Sequence, residues 1–254
     1  MKIIYPDNTV TITATEENSN FPIANVQDDH PKKVWKATSN DAIVTLTASS
    51  GSVVAIYGTN ATSATIKSRS GAVGVAWSGP SWDSPSWVTE SLTTETVTLA
   101  ALATGQTAIW AEFTDPGTSF GLEMTLASAA GTTLQVGVIR CGTLRDFRDA
   151  AYGIQEGLED FSIRKELNNG AQYYRKRDII RTFDLELVED RASDFYTFMH
   201  NVALLRGGAP LAWRLSERVT DWQWIVYAAF ADMPFGTHRH PSHTIISIKL
   251  KEVI

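Results

Sequence analysis

Residues 179–217 read IIRTFDLELVEDRASDFYTFMHNVALLRGGAPLAWRLSE, and this stretch decides the class of fold. It opens with alternating apolar and polar side chains, a period of two that is typical of a strand with one buried face. The period then lengthens to three or four residues, which predicts an amphipathic helix over 192–206 with Asp190 as its N-cap. Two glycines and a proline end the helix, and a second strand starts at Leu211. The apolar stripe of the helix consists of Phe195, Phe198, Met199, Val202 and Leu205.

Amino-acid composition and residue periodicity divide the chain into three parts, which together predict a mainly β protein. Residues 1–143 are rich in Thr, Ser, Ala, Val and Gly and form a series of short strands separated by turn signals, which predicts a β-sandwich of the jelly-roll type. Residues 144–172 are charged and irregular and are expected to connect the two halves. Residues 173–254 predict an α+β domain with an antiparallel sheet and one main helix. The eight strands expected in the first part are 9–14, 42–46, 52–57, 64–67, 95–99, 108–113, 122–126 and 133–139. Those expected in the last part are 173–188 with a break, 211–215, 222–231 and 244–253.

Composition and charge narrow the functional classes. The 254 residues are 43% hydrophobic and 20% charged, which are globular values. Up to Arg145 there are 8 basic and 12 acidic residues (−4), and after it 14 and 16 (−2), which argues against bulk nucleic-acid binding by either half. The single cysteine, Cys141, has apolar flanks and is expected to be a buried thiol. No apolar run has the length of a signal peptide or of a membrane span, so we expect a protein that is made in a cytoplasm and does not insert into membranes.

The first half resembles a known family of binding domains. Residues 21–38 read FPIANVQDDHPKKVWKAT and precede a strand pair that ends in VAIYGTN at 54–60. This order is similar to the discoidin or galactose-binding jelly-roll family, in which an N-x-x-D-x-x-x-x-x-x-W segment stands ahead of such a strand. The resemblance covers about 60 residues and implies a β-sandwich that contacts a glycan or a protein.

The second half resembles phage tail proteins of the distal-tail and baseplate-ring type. The residues that carry this likeness are Tyr152-Gly153, Gly157 to Asp160, Arg181 to Phe183, the helix 192–206, Gly207 to Arg214, Asp221-Trp222 and the last strand. The resemblance implies a virion tail component that forms a homo-oligomeric ring, a hexamer or a trimer, between the tail tube and more distal baseplate or receptor-binding proteins. In many distal tail proteins the ring domain comes first, whereas here it comes second.

A loop with three tryptophans is the first candidate for a contact surface. Residues 75–88 read VAWSGPSWDSPSWV and place Trp77, Trp82 and Trp87 among Ser, Gly and Pro. Exposed, these rings would anchor a partner protein or stack on the sugars of a host surface glycan. The alternative is that two of the three rings are buried core residues beside a long loop of the jelly roll.

A basic cluster is the second candidate. Arg175, Lys176 and Arg177, followed by Arg181, fall at the start of a predicted strand. They are either a solvated face that protects a sheet edge or one side of an ion-paired subunit interface.

Two groups of possible metal ligands have ordinary explanations. Asp28, Asp29 and Asp41 have the oxygen chemistry that calcium prefers, but they are not spaced as ligands in one tight loop. His238, His240 and His243 fall in an expected polar hairpin with no acidic or Cys ligand beside them. We therefore predict no metal and no cofactor.

The sequence contains no catalytic motif of the serine hydrolase, zinc protease, P-loop or dinucleotide-binding kind. We predict that the protein is not an enzyme and that it is a structural ring component of a phage tail tip or baseplate. The alternative is a lectin-like, glycan-binding module with an accessory domain.

Overall fold

The computed structural model describes residues 1–70, 93–99, 101–115, 120–147, 154–166, 172–190, 194–216, 222–238 and 240–253. The chain divides into two units. The first comprises residues 3–145 and 219–225 and is called here the sandwich unit. The second comprises residues 1–2, 146–218 and 226–254 and is called the α+β unit.

The sandwich unit is built from eleven short strands among the described residues. They are β1 (Lys2–Asp7), β2 (Thr9–Ala14), β3 (Trp35–Lys36), β4 (Asp41–Ala48), β5 (Val53–Tyr57), β6 (Ala61–Ser70), β7 (Thr93–Leu99), β8 (Ala108–Glu112), β9 (Phe120–Ser128), β10 (Gln135–Val136) and β11 (Val138–Asp146). Two 3-10 turns, Ile23–Gln27 and Trp222–Trp224, belong to the same unit.

The strand order of the sandwich unit is that of a jelly roll. Four strands are hydrogen-bonded in the order β1-β11-β5-β8, and five in the order β2-β4-β9-β6-β7. Apart from the added β2, strands that follow one another along the chain change sheet at each step except from β6 to β7. The hydrogen-bonded pairs β1/β11, β4/β9, β5/β8 and β6/β7 are nested along the chain, as in a jelly roll. The short strands β3 and β10 pair with each other outside both sheets. The predicted β-sandwich is therefore confirmed by its own topology.

One apolar core lies between the two sheets of the sandwich unit. Along β4 the buried residues are Ala42, Val44, Leu46 and Ala48, while Ile43 between them is 37% exposed. This alternation follows from the period of two along a strand with one wet face. By contrast every residue of β5 is buried. The core also contains Trp35 and Cys141. Because the thiol of Cys141 is buried, its pKa is raised.

Close backbone packing at one edge of the sandwich unit requires glycine. A Cβ on Gly142 would overlap the backbone carbonyl oxygen of Pro6, and one on Gly51 would overlap the carbonyl of Gly142. Gly51 also has a φ of +144°, which side chains rarely adopt. The middle of β11 therefore approaches the end of β1 at a distance that no other residue allows.

The α+β unit contains a five-stranded sheet, a separate hairpin and one helix among its described residues. Its strands are β12 (Gln155–Asp160), β13 (Ile163–Glu166), β14 (Gln172–Arg175), β15 (Ile179–Asp190), β16 (Leu211–Arg214), β17 (Ile225–Thr237) and β18 (His243–Glu252). The sheet order is β12-β15-β18-β17-β16, and the pairs β12/β15, β15/β18 and β17/β18 are antiparallel. The predicted α+β fold with an antiparallel sheet is thus confirmed.

The helix, α1, differs from a regular α-helix in its winding. It starts with an α-helical turn, Asp194–Tyr196, and continues as a π-helical segment, Thr197–Leu204. Phe195, Phe198 and Val202 are buried as predicted, but Leu205 is 69% exposed. Because a π-helix bonds residue i to i+5, each turn takes more residues, and Ala203 faces the core in place of Leu205.

The buried face of the sheet and the helix form the core of the α+β unit. Phe183, Leu185 and Leu187 of β15 lie opposite Leu250, Ile248 and Ile246 of β18, and all six are buried. From the helix, Phe198 meets Phe147 and Phe230 edge-to-face at 5.3 and 6.2 Å between ring centroids. Trp213 is buried and donates a 2.9 Å hydrogen bond from Nε1 to the carbonyl oxygen of Ala228.

Two parts of the α+β half differ from the sequence prediction. The segment 144–172, expected to be an irregular connection, contains β12 and β13, which belong to the α+β unit. The strand expected over 222–231 starts only at Ile225, because Trp222–Trp224 form a 3-10 turn. No helix in the described part of the chain is long and apolar enough to span a membrane.

Candidate assembly surface

A long two-stranded ribbon extends beyond the sheet of the α+β unit. β12 pairs with β15 from Gln155↔Asp184 to Asp160↔Ile179, and the same two chain segments stay paired from Ile163↔Arg175 to Glu166↔Gln172. On the other side of β15, pairing with β18 begins only at Thr182↔Lys251. We call residues 158–166 and 172–181 the ribbon. At about 3.3 Å per residue it is roughly 25–30 Å long.

The ribbon exposes side chains on both of its faces. Every described side chain of β14 is exposed, and so are three of the four on β13. The exposed fractions are 72% for Leu158, 50% for Tyr173, 54% for Tyr174 and 50% for Ile179. Tyr173 and Tyr174 are neighbours in a strand and therefore point to opposite faces. Two strands without a covered face are at best marginally stable in water, so this ribbon is a candidate for burial against a partner.

The root of the ribbon is fixed by ion pairs. Arg181 donates two hydrogen bonds to the carboxylate of Glu252, at 2.9 and 2.8 Å, and lies 3.8 Å from Glu156. These contacts with Glu252 raise the pKa of Arg181. On the opposite face, Lys251 Nζ lies 2.7 Å from Glu159 Oε2 and 4.4 Å from the ring centroid of Phe161. The guanidinium of Arg181 is thus fixed by carboxylates of the same chain.

The other three residues of the predicted basic cluster lie together on the ribbon. Arg175, Lys176 and Arg177 are exposed and follow one another along its β14 edge. The structure therefore separates them from Arg181, which the sequence had grouped with them. Nothing in the fold tests whether the exposed three contact another subunit, and that role stays a prediction.

A capped bend joins β12 to β13. The Ser162 N–H donates a 2.8 Å hydrogen bond to Asp160 Oδ1, and the Arg177 N–H donates one of 3.1 Å to Ser162 Oγ. The hydrogen bonds from Ser162 lower the pKa of Asp160. Residues 161–162 of one strand lie opposite residues 176–178 of the other, so the pairing register shifts by one residue at the bend. At the far end, an open cavity of about 570 Å³ is lined by Arg164, Lys165, Glu166, Gln172, Tyr173 and Tyr174.

Sequence analysis missed the ribbon although one signal was present. Asn169-Gly170 lies between two short segments with strand-forming side chains, and Asn-Gly is the strongest short-range hairpin signal. Because many charged residues surround Asn169-Gly170, the segment 144–172 was predicted to be an irregular connection.

The predicted tryptophan contact cannot be placed. Trp77, Trp82 and Trp87 lie outside the residues that the structure describes.

Two of the three aspartates considered for calcium pair with basic side chains. Asp28 Oδ2 lies 2.7 Å from Lys33 Nζ, and Asp29 Oδ1 lies 2.8 Å from Arg140 Nη2. Arg140 is buried and also donates hydrogen bonds to the carbonyl oxygens of Val26 and Asp28, at 3.3 and 3.0 Å. Asp29 thus helps to fasten the 3-10 turn Ile23–Gln27 to β11.

The three histidines form hydrogen bonds with hydroxyl groups. His238 Nδ1 lies 2.7 Å from Thr244 Oγ1, and Ser242 Oγ lies 2.9 Å from His240 Nδ1 and 2.7 Å from His243 Nδ1. Across the described ranges, no three His, Cys, Asp or Glu side chains are grouped so as to hold a metal ion.

Comparison with known proteins leaves the function open. No protein-family model and no curated protein matches the sequence. One similar solved structure is chitosan-binding module 1 of a chitosanase/glucanase from Paenibacillus sp. IK-5, with 13% identity, 53% of this chain and 97% of that chain covered, and a TM-score of 0.34. Another is reduced XRCC1, solved bound to the catalytic domain of DNA polymerase beta, with 10% identity, 54% and 97% covered, and a TM-score of 0.37. At such low TM-scores neither likeness assigns a fold or a function to this chain.

Proposed function

We propose that this protein is a structural subunit of a phage tail tip or baseplate, and that copies of it assemble into a ring through the α+β unit. In the virion the ring would join the tail tube to distal baseplate or receptor-binding proteins. The sandwich unit would contact those proteins or a host glycan.

The observation that carries self-assembly is the ribbon. Leu158, Tyr173, Tyr174 and Ile179 are each at least half exposed, on a pair of strands that the described residues of the chain do not cover. Burying such side chains contributes about 25 cal/mol per Å² of apolar surface, which favours a state in which a partner covers them. The ion pairs at the root hold the ribbon in one direction, so that little order has to be gained on binding.

The tail location rests on the resemblance of the second half, and the order of elements supports it. A long strand, the helix α1 and the strand that carries Trp213 and Arg214 follow one another as the resemblance implies. Two antiparallel strands then complete the sheet.

The test is the mass of the purified protein in solution, measured by light scattering over a concentration series with and without tail-tube protein. We expect one closed oligomer of fixed mass, formed alone or on the tube. The double substitution Tyr173→Ser with Ile179→Ser should shift the mass toward the monomer. Val10→Ser is the matched control, because Val10 is 59% exposed on the sandwich unit, and it should leave the mass unchanged.

A monomer at every concentration, indifferent to tail-tube protein, would overturn the proposal. The glycan-binding alternative would then be examined with a glycan screen, in which Trp77→Ala, Trp82→Ala and Trp87→Ala test the tryptophan loop.

A further inference from the structure

The two edges of the ribbon carry opposite charge. Along one edge, β12 (QEGLED) carries Glu156, Glu159 and Asp160 and no basic residue. Along the other, residues 172–177 (QYYRKR) carry Arg175, Lys176 and Arg177 and no acidic residue. β13 (IRKE) continues the β12 edge with Arg164, Lys165 and Glu166, so that edge is formally −2 over residues 155–166. The β14 edge is followed by Asp178 and is formally +2 over residues 172–178.

Both edges also present open backbone. β12 is the terminal strand of its sheet, and β13 and β14 pair only with each other among the described residues. A strand edge with unpaired N–H and C=O groups is a template for another strand. Lysine and arginine on such an edge prevent pairing between like edges, but they favour pairing with an acidic edge.

The two charged segments are offset by about three residues along the ribbon. Asp160 faces Ile179, and Ile163 faces Arg175, so the bases of 175–177 lie only a few residues from the acids of β12. A second copy shifted by about three residues along the strands therefore brings Arg175, Lys176 and Arg177 of one copy opposite residues 158–160 of the other, and away from its Arg164 and Lys165. Two identical edges would instead place like charges opposite each other.

We propose that copies of this chain join edge to edge, with the β14 edge of one copy pairing with the β12 edge of the next in a continuous sheet. This inference rests on the proposed function and names the surface that the partner uses. The contact is head-to-tail, because each copy offers two different edges, and head-to-tail contacts generate rings when the rotation closes. The same charges disfavour a symmetric dimer through one edge.

Cysteine cross-linking tests the pairing directly. The double variant Glu156→Cys with Lys176→Cys carries one new thiol on each edge, and the native Cys141 is fully buried and does not compete. After the three-residue shift the two thiols are about three residues, or roughly 10 Å, apart along the strands. A bismaleimide of that span is added to the assembled protein, and the products are separated by denaturing electrophoresis. We expect a ladder of covalent oligomers that ends at the ring size. Each single variant, Glu156→Cys or Lys176→Cys, should remain monomeric on the gel.

Charge reversal gives an independent readout that also checks folding. Arg175→Glu with Lys176→Glu and Arg177→Glu should give a monomer, and so should Glu156→Lys with Glu159→Lys. Mixed in equal amounts, the two monomers should assemble, because the reversed edge of each variant meets a complementary edge of the other. Recovery on mixing would show that both variants are folded.

The outcomes separate this inference from the proposed function. Wild-type rings without a ladder from the double cysteine variant, or dimers from a single cysteine variant, refute head-to-tail edge pairing and leave ring assembly standing. Rings that persist in both charge-reversed variants would likewise refute the edge pairing and leave ring assembly standing. Absence of any wild-type oligomer, alone or with tail-tube protein, refutes the proposed function and the edge pairing with it.

Discussion

Replacement of Phe198 by alanine is expected to loosen the α+β unit and to leave the sandwich unit unchanged. Phe198 is fully buried on α1 and meets the rings of Phe147 and Phe230 edge-to-face. Emptying a packed aromatic site costs about 3–5 kcal/mol. The two ring contacts place the expected loss in the upper part of that range, since each such pair adds roughly 0.5–1.5 kcal/mol beyond area burial.

Amide hydrogen exchange followed by mass spectrometry resolves the two units separately. At about 1.4 kcal/mol for each factor of ten, a loss of about 4–5 kcal/mol should lower the protection of peptides from β17 and β18 by roughly a thousand-fold or somewhat more. Peptides from β4 and β9 of the sandwich unit are the internal reference. The matched control is Leu205→Ala on the same helix, which should change stability by less than about 0.5 kcal/mol because Leu205 is exposed. Unchanged protection in Phe198→Ala, or a comparable loss in Leu205→Ala, would refute the π-helical phase that buries one side chain and exposes the other.

Three further outcomes are expected. Arg140→Met should destabilise the sandwich unit by about 2–3 kcal/mol, because it removes hydrogen bonds of a buried charged group; thermal unfolding measures this, and an unchanged melting temperature would contradict it. Asp160 has a lowered pKa in the folded chain, so its stabilisation of the ribbon bend is fully present above the ordinary aspartate pKa of 3.8 and is lost as the pH falls through the lower folded value. Amide exchange of Ser162 followed against pH should show this loss, and Asp160→Asn should abolish the pH dependence. Gly142→Ala should lower the melting temperature of the sandwich unit through its backbone overlap, whereas Gly208→Ala, with no neighbour within 4 Å, should not; equal melting temperatures would refute the close approach.

Sequence reasoning succeeded where a local period reports burial directly. The alternation at Phe183, Leu185 and Leu187 identified the buried face of β15, and the stripe at Phe195, Phe198 and Val202 identified the inner face of α1. The same reasoning failed at Leu205, since a change from α to π winding shifts the phase without any signal in the residue types.

A mainly β protein with a sandwich followed by an α+β half could be predicted from the residues alone, because strand and helix periods, turn residues and charge are local properties of the chain. Which strands pair could not be predicted in this way, since pairing depends on contacts between residues far apart in sequence. Residues 155–166 read as a linker until β15 pairs with them, and that pairing is what turns scattered charges into two opposite edges of one ribbon. In the same way, Arg181 looks like a member of the basic cluster in sequence, but Glu252, 71 residues away, holds it in place.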